Sequence, residues 1–174
     1  MIEVRQKVLQ RVWETYEIPE EWGKAAVTNL YKKGDPLKCG NYRGLSLQVT
    51  ARKCYTIVIK GRMNKHLEEI LGEEPAGFRA NRSTTDMIFV LRQIAEKFIE
   101  YDRKVYCNFI DYTKAFDTIW REFLWDAMKH FGFNEKLINQ IKALYSKNQS
   151  AITVNGGLTE YFSTSIEVLQ GCIL

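Results

Sequence analysis

Apolar residues fall at helical spacing at the start of the chain, where Val4, Val8, Leu9, Val12, Trp13 and Tyr16 predict a helix over residues 3–16. Pro19, in "EIPEEW", ends that pattern with a turn. "KAAVTNLYKK" reads as a strand entering a loop that holds Gly34, Pro36, Gly40 and Gly44. From Gln48 to Leu71, a stripe of Ala51, Cys54, Tyr55, Val58, Leu67, Ile70 and Leu71 predicts a long amphipathic helix, although Ile57, Val58 and Ile59 are weak helix formers at its centre. "RSTTDMIFVLRQIAEKFIEYD" opens with Ser83 and Asp86 at capping-box spacing and continues with Ile88, Leu91, Ile94, Ala95, Phe98 and Ile99 on one helical stripe. A strand from Lys104 to Asp111 follows, then a helix from about Thr118 to Phe131 stopped by Gly132, and another from Asn134 to Ser146. "SAITVNGGLTEYFSTSIEV" alternates on both sides of "NGG", which predicts a hairpin. Helices and hairpins mix without steady βαβ alternation, so the expected class is α+β, with one core and no internal repeat.

Composition narrows the class. At 174 residues, 45% hydrophobic and 13% aromatic, with no Gly/Ser/Pro-rich tract, the chain is globular. Its apolar runs are short and broken by charge, and "MIEVRQKVLQRVWETYE" does not read as a secretory signal, so an intracellular protein without membrane spans is expected. Cys39, Cys54, Cys107 and Cys172 show no C-x-x-C spacing, and His66 and His130 do not complete a zinc set, so reduced thiols and no structural metal are expected. The net charge of +4 is unevenly spread. The segment Lys24–Lys65 carries ten Lys/Arg, among them Lys32, Lys33, Arg43, Lys53 and Lys60, against Asp35 alone. Interleaved with Tyr31, Tyr42 and Tyr55, this block either suits a phosphate-rich partner such as a nucleic acid or forms a solvated face.

The candidate chemistry lies in "VYCNFIDYTKAFDTIW". Strand alternation puts Val105, Cys107, Phe109 and Asp111 on one face, with the carboxylate at the strand end, where it can meet solvent and a hard cation. The plain alternative is that Asp111 caps a turn, while Asp117 N-caps the next helix.

"FIDYTKAFDTIWREFLWDAMKHFG" resembles the first catalytic motif of reverse transcriptases from non-LTR (LINE-like) retrotransposons, relatives of group II intron enzymes. "WGKAAVTNLYKKGDPLKCGNYRGLSL" resembles that family's fingers segment, "AGFRANRSTTDMIFVLRQ" its next block, and "INQIKALYSKNQSAITVNGGLTEYFSTSIEVLQGCIL" the run into its glutamine-glycine motif. Four blocks in family order cover nearly all of the chain from Ile18 onward. The resemblance implies fingers at about 18–103, preceded by the upstream helix at 1–17, and a partial palm at about 104–174 of a right-hand polymerase. It further implies that Asp111 binds catalytic Mg²⁺, that Phe116 lies under the incoming sugar as a steric gate, and that Lys32 or Lys33 with Arg43 neutralises the β- and γ-phosphates. Gln170 and Gly171 would line the nucleotide and template pocket. Arg79 and Arg82 would either contact nucleic acid or hold the fingers together. RNA template, DNA primer and dNTP are the implied partners of the complete enzyme.

Two positions depart from the family pattern. Gly44 stands where a proline usually follows the arginine of "NYR", and Pro75 where a glutamine commonly precedes "xGFR". Asp35, Asp86, Asp102, Asp111, Asp117 and Asp126 include no Tyr-x-Asp-Asp, so these residues alone are expected not to assemble a two-metal site. The strand bearing Asp111 is then expected to lack its neighbour. Two other readings stay open: a non-catalytic nucleic-acid-binding or interaction remnant of a retroelement, and a fragment of a group II intron maturase.

Overall fold

The computed structural model describes residues 2–166, 168–169 and 171–172. The chain forms two compact units, one of residues 1–66 with 114–174 and the other of residues 67–113. Its mixture of helix and sheet agrees with the expected α+β class.

In the first unit, α1 (Ile2–Thr15) leads through the short α2 (Glu20–Gly23) into β1 (Lys24–Tyr31). β1 pairs antiparallel with β2 (Tyr42–Gln48), with Asn29 opposite Gly44, and parallel with β3 (Gln149–Val154). The far edge of β3 pairs with β4 (Gly157–Leu158) at one end and β5 (Phe162–Ser163) at the other. Asn155 and Gly156 make the β3–β4 turn, both at positive φ (49° and 80°), as a two-residue primed turn requires. The predicted hairpin is therefore present. β2 was not predicted: Gly44, expected in a loop, sits in a strand, where a Cβ would come within 3.0 Å of Val27 Cγ1.

α3 (Thr50–Ile70) runs close to its predicted length and buries Tyr55 as predicted, but Arg52, Thr56 and Ile59 are the residues buried beside it. Ala51, Cys54 and Val58 face solvent instead. The helix turns this way because its polar groups find partners inside. Arg52 donates to the Trp22 carbonyl and to Asn148 Oδ1 (2.9 Å), and the Tyr55 hydroxyl donates to Gln140 Oε1. Gln140, on α6 (Glu135–Ser146), donates in turn to the Trp13 carbonyl at 2.6 Å, tying α1 to the same core. Around these bonds pack Val12, Ile18, Trp22, Ile59, Ile138, Ile141, Leu144 and Ala151, all buried.

α5 (Arg121–His130) ends as predicted at Gly132 (φ 75°), where Phe133 N–H reaches the Met128 carbonyl at 3.0 Å in a Schellman closure. Its start differs from expectation. Residues 114–118 close on themselves through Asp117 N–H to the Lys114 carbonyl (2.9 Å), and Trp120 occupies the N-cap position without a side-chain cap, so Asp117 is not the N-cap. Asn134 caps α6, accepting from Lys136 N–H at 2.8 Å.

Close backbone approach explains Gly23, the last residue of α2, where a Cβ would lie 2.3 Å from the Lys147 carbonyl oxygen. Gly23→Ala is expected to destabilise the unit by roughly 1–3 kcal/mol, because backbone on both sides must shift. A urea midpoint equal to that of the parent chain would contradict this close packing.

In the second unit, α4 (Thr84–Glu100) carries the predicted capping box: Ser83 Oγ accepts from Asp86 N–H (3.2 Å), and Ser83 N–H donates to Asp86 Oδ2 (2.8 Å). Its apolar stripe is not buried; Ile88, Leu91, Ile94, Phe98 and Ile99 are all exposed, and none of the residues 67–113 is buried. The predicted strand Lys104–Asp111 is absent. These residues run as an irregular, exposed segment, because no described strand pairs with their backbone groups, and an isolated strand cannot satisfy its own N–H and C=O groups. Among the described residues no helix is long and apolar enough to cross a membrane, and all four cysteines are free thiols.

Candidate nucleotide and nucleic-acid site

The β1–β2 connection is held by backbone and side-chain bonds of its own. Lys32 N–H donates to the Asn41 carbonyl (2.8 Å), Asn41 Nδ2 to the Asp35 carbonyl (2.8 Å), and Tyr42 Oη to the Pro36 carbonyl (2.9 Å). The Tyr31 and Tyr42 rings meet at a tilt of 57°, with their centroids 5.5 Å apart. This frame leaves Lys32, Lys33 and Arg43 exposed at one end of the hairpin, with Arg43 opposite Leu30 in the ladder. Three cations on a braced turn can meet an anion without ordering a floppy loop.

One further candidate residue approaches β2 from the far end of the sequence. Gly171 (φ 101°) packs so closely on that strand that a Cβ would lie 3.0 Å from both Leu45 Cδ1 and the Ser46 carbonyl oxygen. Three residues earlier, Val168 N–H donates to the Phe116 carbonyl at 3.0 Å. The Phe116 side chain is 42% exposed, so it is not a core aromatic. The first unit thus sets Gly171 against the strand that bears Arg43, and ties the Phe116 backbone to Val168, three residues before Gly171. Gln170 lies outside the described residues.

The basic block does not act as one surface. Arg52 is fully buried, and burial pushes its pKa down. Arg62 lies 3.8 Å over the Trp13 ring. Lys53 and Lys60, seven residues apart on α3, are half-buried. The solvated cations that remain to meet a partner are chiefly those of the hairpin. If they meet phosphates, neutralising Lys32, Lys33 and Arg43 together will lower the slope of log K against log salt by about 2, at roughly 0.7–0.9 per contact. A titration of labelled single-stranded RNA at several salt concentrations checks this, and an unchanged slope would leave the hairpin as a solvated turn.

In the second unit, Arg79 donates to the Gly72 carbonyl (2.6 Å) and pairs with Glu68 (2.6 Å), and Arg82 pairs with Glu73. Both arginines therefore brace the loop before α4. Asp111 is exposed in the irregular segment. Among the described residues no three His, Cys, Asp or Glu side chains lie together as a metal cluster. One exposed carboxylate fits a Mg²⁺ ion that keeps most of its ligands as water and substrate phosphate, and does not fit an all-protein cage.

A family model described as reverse transcriptase (RNA-dependent DNA polymerase) matches residues 30–174. Among curated proteins, the chain is 24% identical over 172 residues to a transposon TX1 uncharacterized 149 kDa protein of Xenopus laevis, covering 97% of this chain and 13% of that protein. It is 34% identical over 117 residues to a probable RNA-directed DNA polymerase from transposon BS of Drosophila melanogaster, covering 64% of this chain and 13% of that protein. It is also 29% identical over 169 residues to a probable RNA-directed DNA polymerase from transposon X-element of the same fly, covering 90% of this chain and 17% of that protein. The chain thus spans less than a fifth of the length of the curated relatives it matches.

Proposed function

Since this chain belongs to the reverse transcriptase (RNA-dependent DNA polymerase) family, we propose that it forms the fingers, at about 18–103, and the first part of the palm, at about 104–174, of a retrotransposon RNA-directed DNA polymerase of right-hand architecture. Its substrates in the complete enzyme are an RNA template, a DNA primer and dNTP. Lys32, Lys33 and Arg43 hold the triphosphate, Phe116 limits the sugar, and Gly171, with Gln170 beside it in sequence, borders the nucleotide. A glycine suits that position, since its φ of 101° strains other residues and a Cβ would press to 3.0 Å on β2. Asp111 is one carboxylate ligand for Mg²⁺, which, when bound, stabilises charge on the transferring phosphoryl group. The remaining ligands come from groups outside these 174 residues.

The observation that most supports this reading is the contact of Gly171 with the strand that bears Arg43, because it joins the glutamine-glycine motif to the basic hairpin. The ion pairs of Arg79 and Arg82 favour a bracing role for those two over direct contact with nucleic acid. The test is a chimera in which residues 30–174 replace the matching segment of a relative such as the transposon BS polymerase. RNA-templated primer extension by the chimera, lost on neutralising Lys32, Lys33 and Arg43, would support the reading. RNA binding without extension, in a folded chimera, would favour a non-catalytic remnant.

A further inference from the structure

A groove of about 500 Å³ opens in the first unit between α1 and α3, and uses none of the residues assigned to the nucleotide site. Leu9 and Trp13 of α1 line it with Tyr55 and Val58 of α3, and Arg5 and Arg62 add two cations. No carboxylate lines it, and neither arginine has a carboxylate partner among the described residues. The groove is therefore apolar along its walls and uncompensated in charge.

Both walls are fixed from behind. The Tyr55 hydroxyl donates to Gln140 Oε1, and Gln140 donates to the Trp13 carbonyl at 2.6 Å, so α1 and α3 are tied to one residue of α6. A partner entering the groove has little of it left to order. Arg5, Leu9 and Trp13 recur every four residues and share one stripe of α1. Arg5 stands eight residues before Trp13, about 12 Å along the helix, whereas Arg62 lies on the Trp13 ring itself at 3.8 Å. The two cations thus mark opposite ends of the apolar stretch. A guanidinium laid flat on a ring keeps the N–H donors of its edge for a carboxylate. Between the ends, Leu9 is half-buried and Val58 is 42% exposed, so both have apolar surface left to cover. A helix meets this pattern with acids seven residues apart and aliphatic residues at the third and fourth positions between them.

We propose that this groove docks an acidic amphipathic helix of a partner protein, with one carboxylate on Arg5, a second on Arg62 and two aliphatic side chains between them over Leu9 and Val58. A nucleic-acid strand suits it less. The Trp13 ring is already engaged by Arg62 and, at 5.3 Å, by Lys136, and aliphatic walls offer a phosphate no donor.

The probe is a fluorescein-labelled, 16-residue alanine-rich helical peptide with Glu at its positions 4 and 11 and Leu at 7 and 8, titrated by anisotropy against the 174-residue chain. Saturable binding is expected, and a peptide with Lys in place of both Glu should bind several-fold more weakly. Arg5→Gln is expected to weaken the acidic peptide about 2- to 5-fold, a loss that shrinks as salt rises. Leu9→Ala is expected to weaken it about 5-fold or more at every salt concentration. Arg5→Glu should lose the acidic peptide and regain affinity for one of the two peptides in which a single Glu is exchanged for Lys, a rescue that a merely structural role of Arg5 would not give. Circular dichroism and urea midpoints confirm folding, and Arg5 is exposed, so its variants are expected to keep the parent midpoint. Absence of saturable binding, equal binding of the Lys peptide, or parent-like affinity in folded Arg5→Gln or Leu9→Ala would overturn the proposal. So would displacement of the peptide by oligouridine, which would make the groove a nucleic-acid surface, or self-association of the chain abolished by Leu9→Ala, which would make it a contact between copies.

Discussion

Asp111→Ala in the chimeric polymerase is expected to lower Mg²⁺-dependent primer extension by about 10³-fold or more. Removing a metal-ligand carboxylate forfeits several kcal/mol of charge stabilisation at the transferring phosphoryl group, and about 1.4 kcal/mol is tenfold in rate. Asp111→Asn should lose nearly as much, since it keeps the shape and removes the charge that a hard cation requires. Neither variant should move the urea midpoint, because Asp111 is exposed. Extension within tenfold of the parent in a folded Asp111→Ala chimera would remove Asp111 from the metal site. The 174-residue chain by itself is expected to show no extension, since its aspartates supply no Tyr-x-Asp-Asp partner for Asp111. Extension by that chain, abolished by Asp111→Ala, would contradict the requirement for a second set of carboxylates.

Local signals in the sequence carried over into structure wherever a few adjacent residues decide the outcome. Ser83 and Asp86 close their capping box, Gly132 stops α5, and Asn155-Gly156 turns β3 into β4, because each depends on φ/ψ or on a hydrogen bond within one turn. β2 was not legible, since Gly44 marks a loop by composition and becomes a strand residue only through its pairing with β1. The buried face of α3 was misread for a related reason: apolarity pointed to Val58 and Cys54, while distant partners, Trp22 and Asn148, draw Arg52 inward. The segment 104–111 has the alternation of a strand but no partner among the described residues, and alternation alone satisfies no backbone group. The groove between α1 and α3 carried no sequence signal, because Arg5 and Arg62 flank one apolar surface only once the fold sets the two helices beside each other. Phe116 and Gly171 were named from motif resemblance, and only folding brings Gly171 against the hairpin strand.

Phe116→Val in the chimera is expected to raise ribonucleotide incorporation relative to deoxyribonucleotide by roughly 10- to 200-fold, the range that a single methylene's difference in fit commands in a tight pocket. A steric gate acts by excluding the 2′-hydroxyl, so cutting back the ring admits it without adding any new attraction. A competing account makes Phe116 a core anchor for the following helix through Ile119 and Phe123. Exposure argues against it, since Phe116 is 42% and Phe123 73% exposed, and the Phe116 backbone is tied to Val168 whatever its side chain. Phe116→Ala should therefore cost about 1–2 kcal/mol of stability, against roughly 3–5 kcal/mol for a buried phenylalanine. The two accounts separate cleanly in one pair of measurements. A gate changes the sugar ratio at nearly constant urea midpoint, whereas an anchor lowers the midpoint and both incorporation rates together. An unchanged ratio in a folded, active Phe116→Val chimera would take Phe116 out of the nucleotide site, while leaving the assignments of Asp111 and the hairpin cations standing.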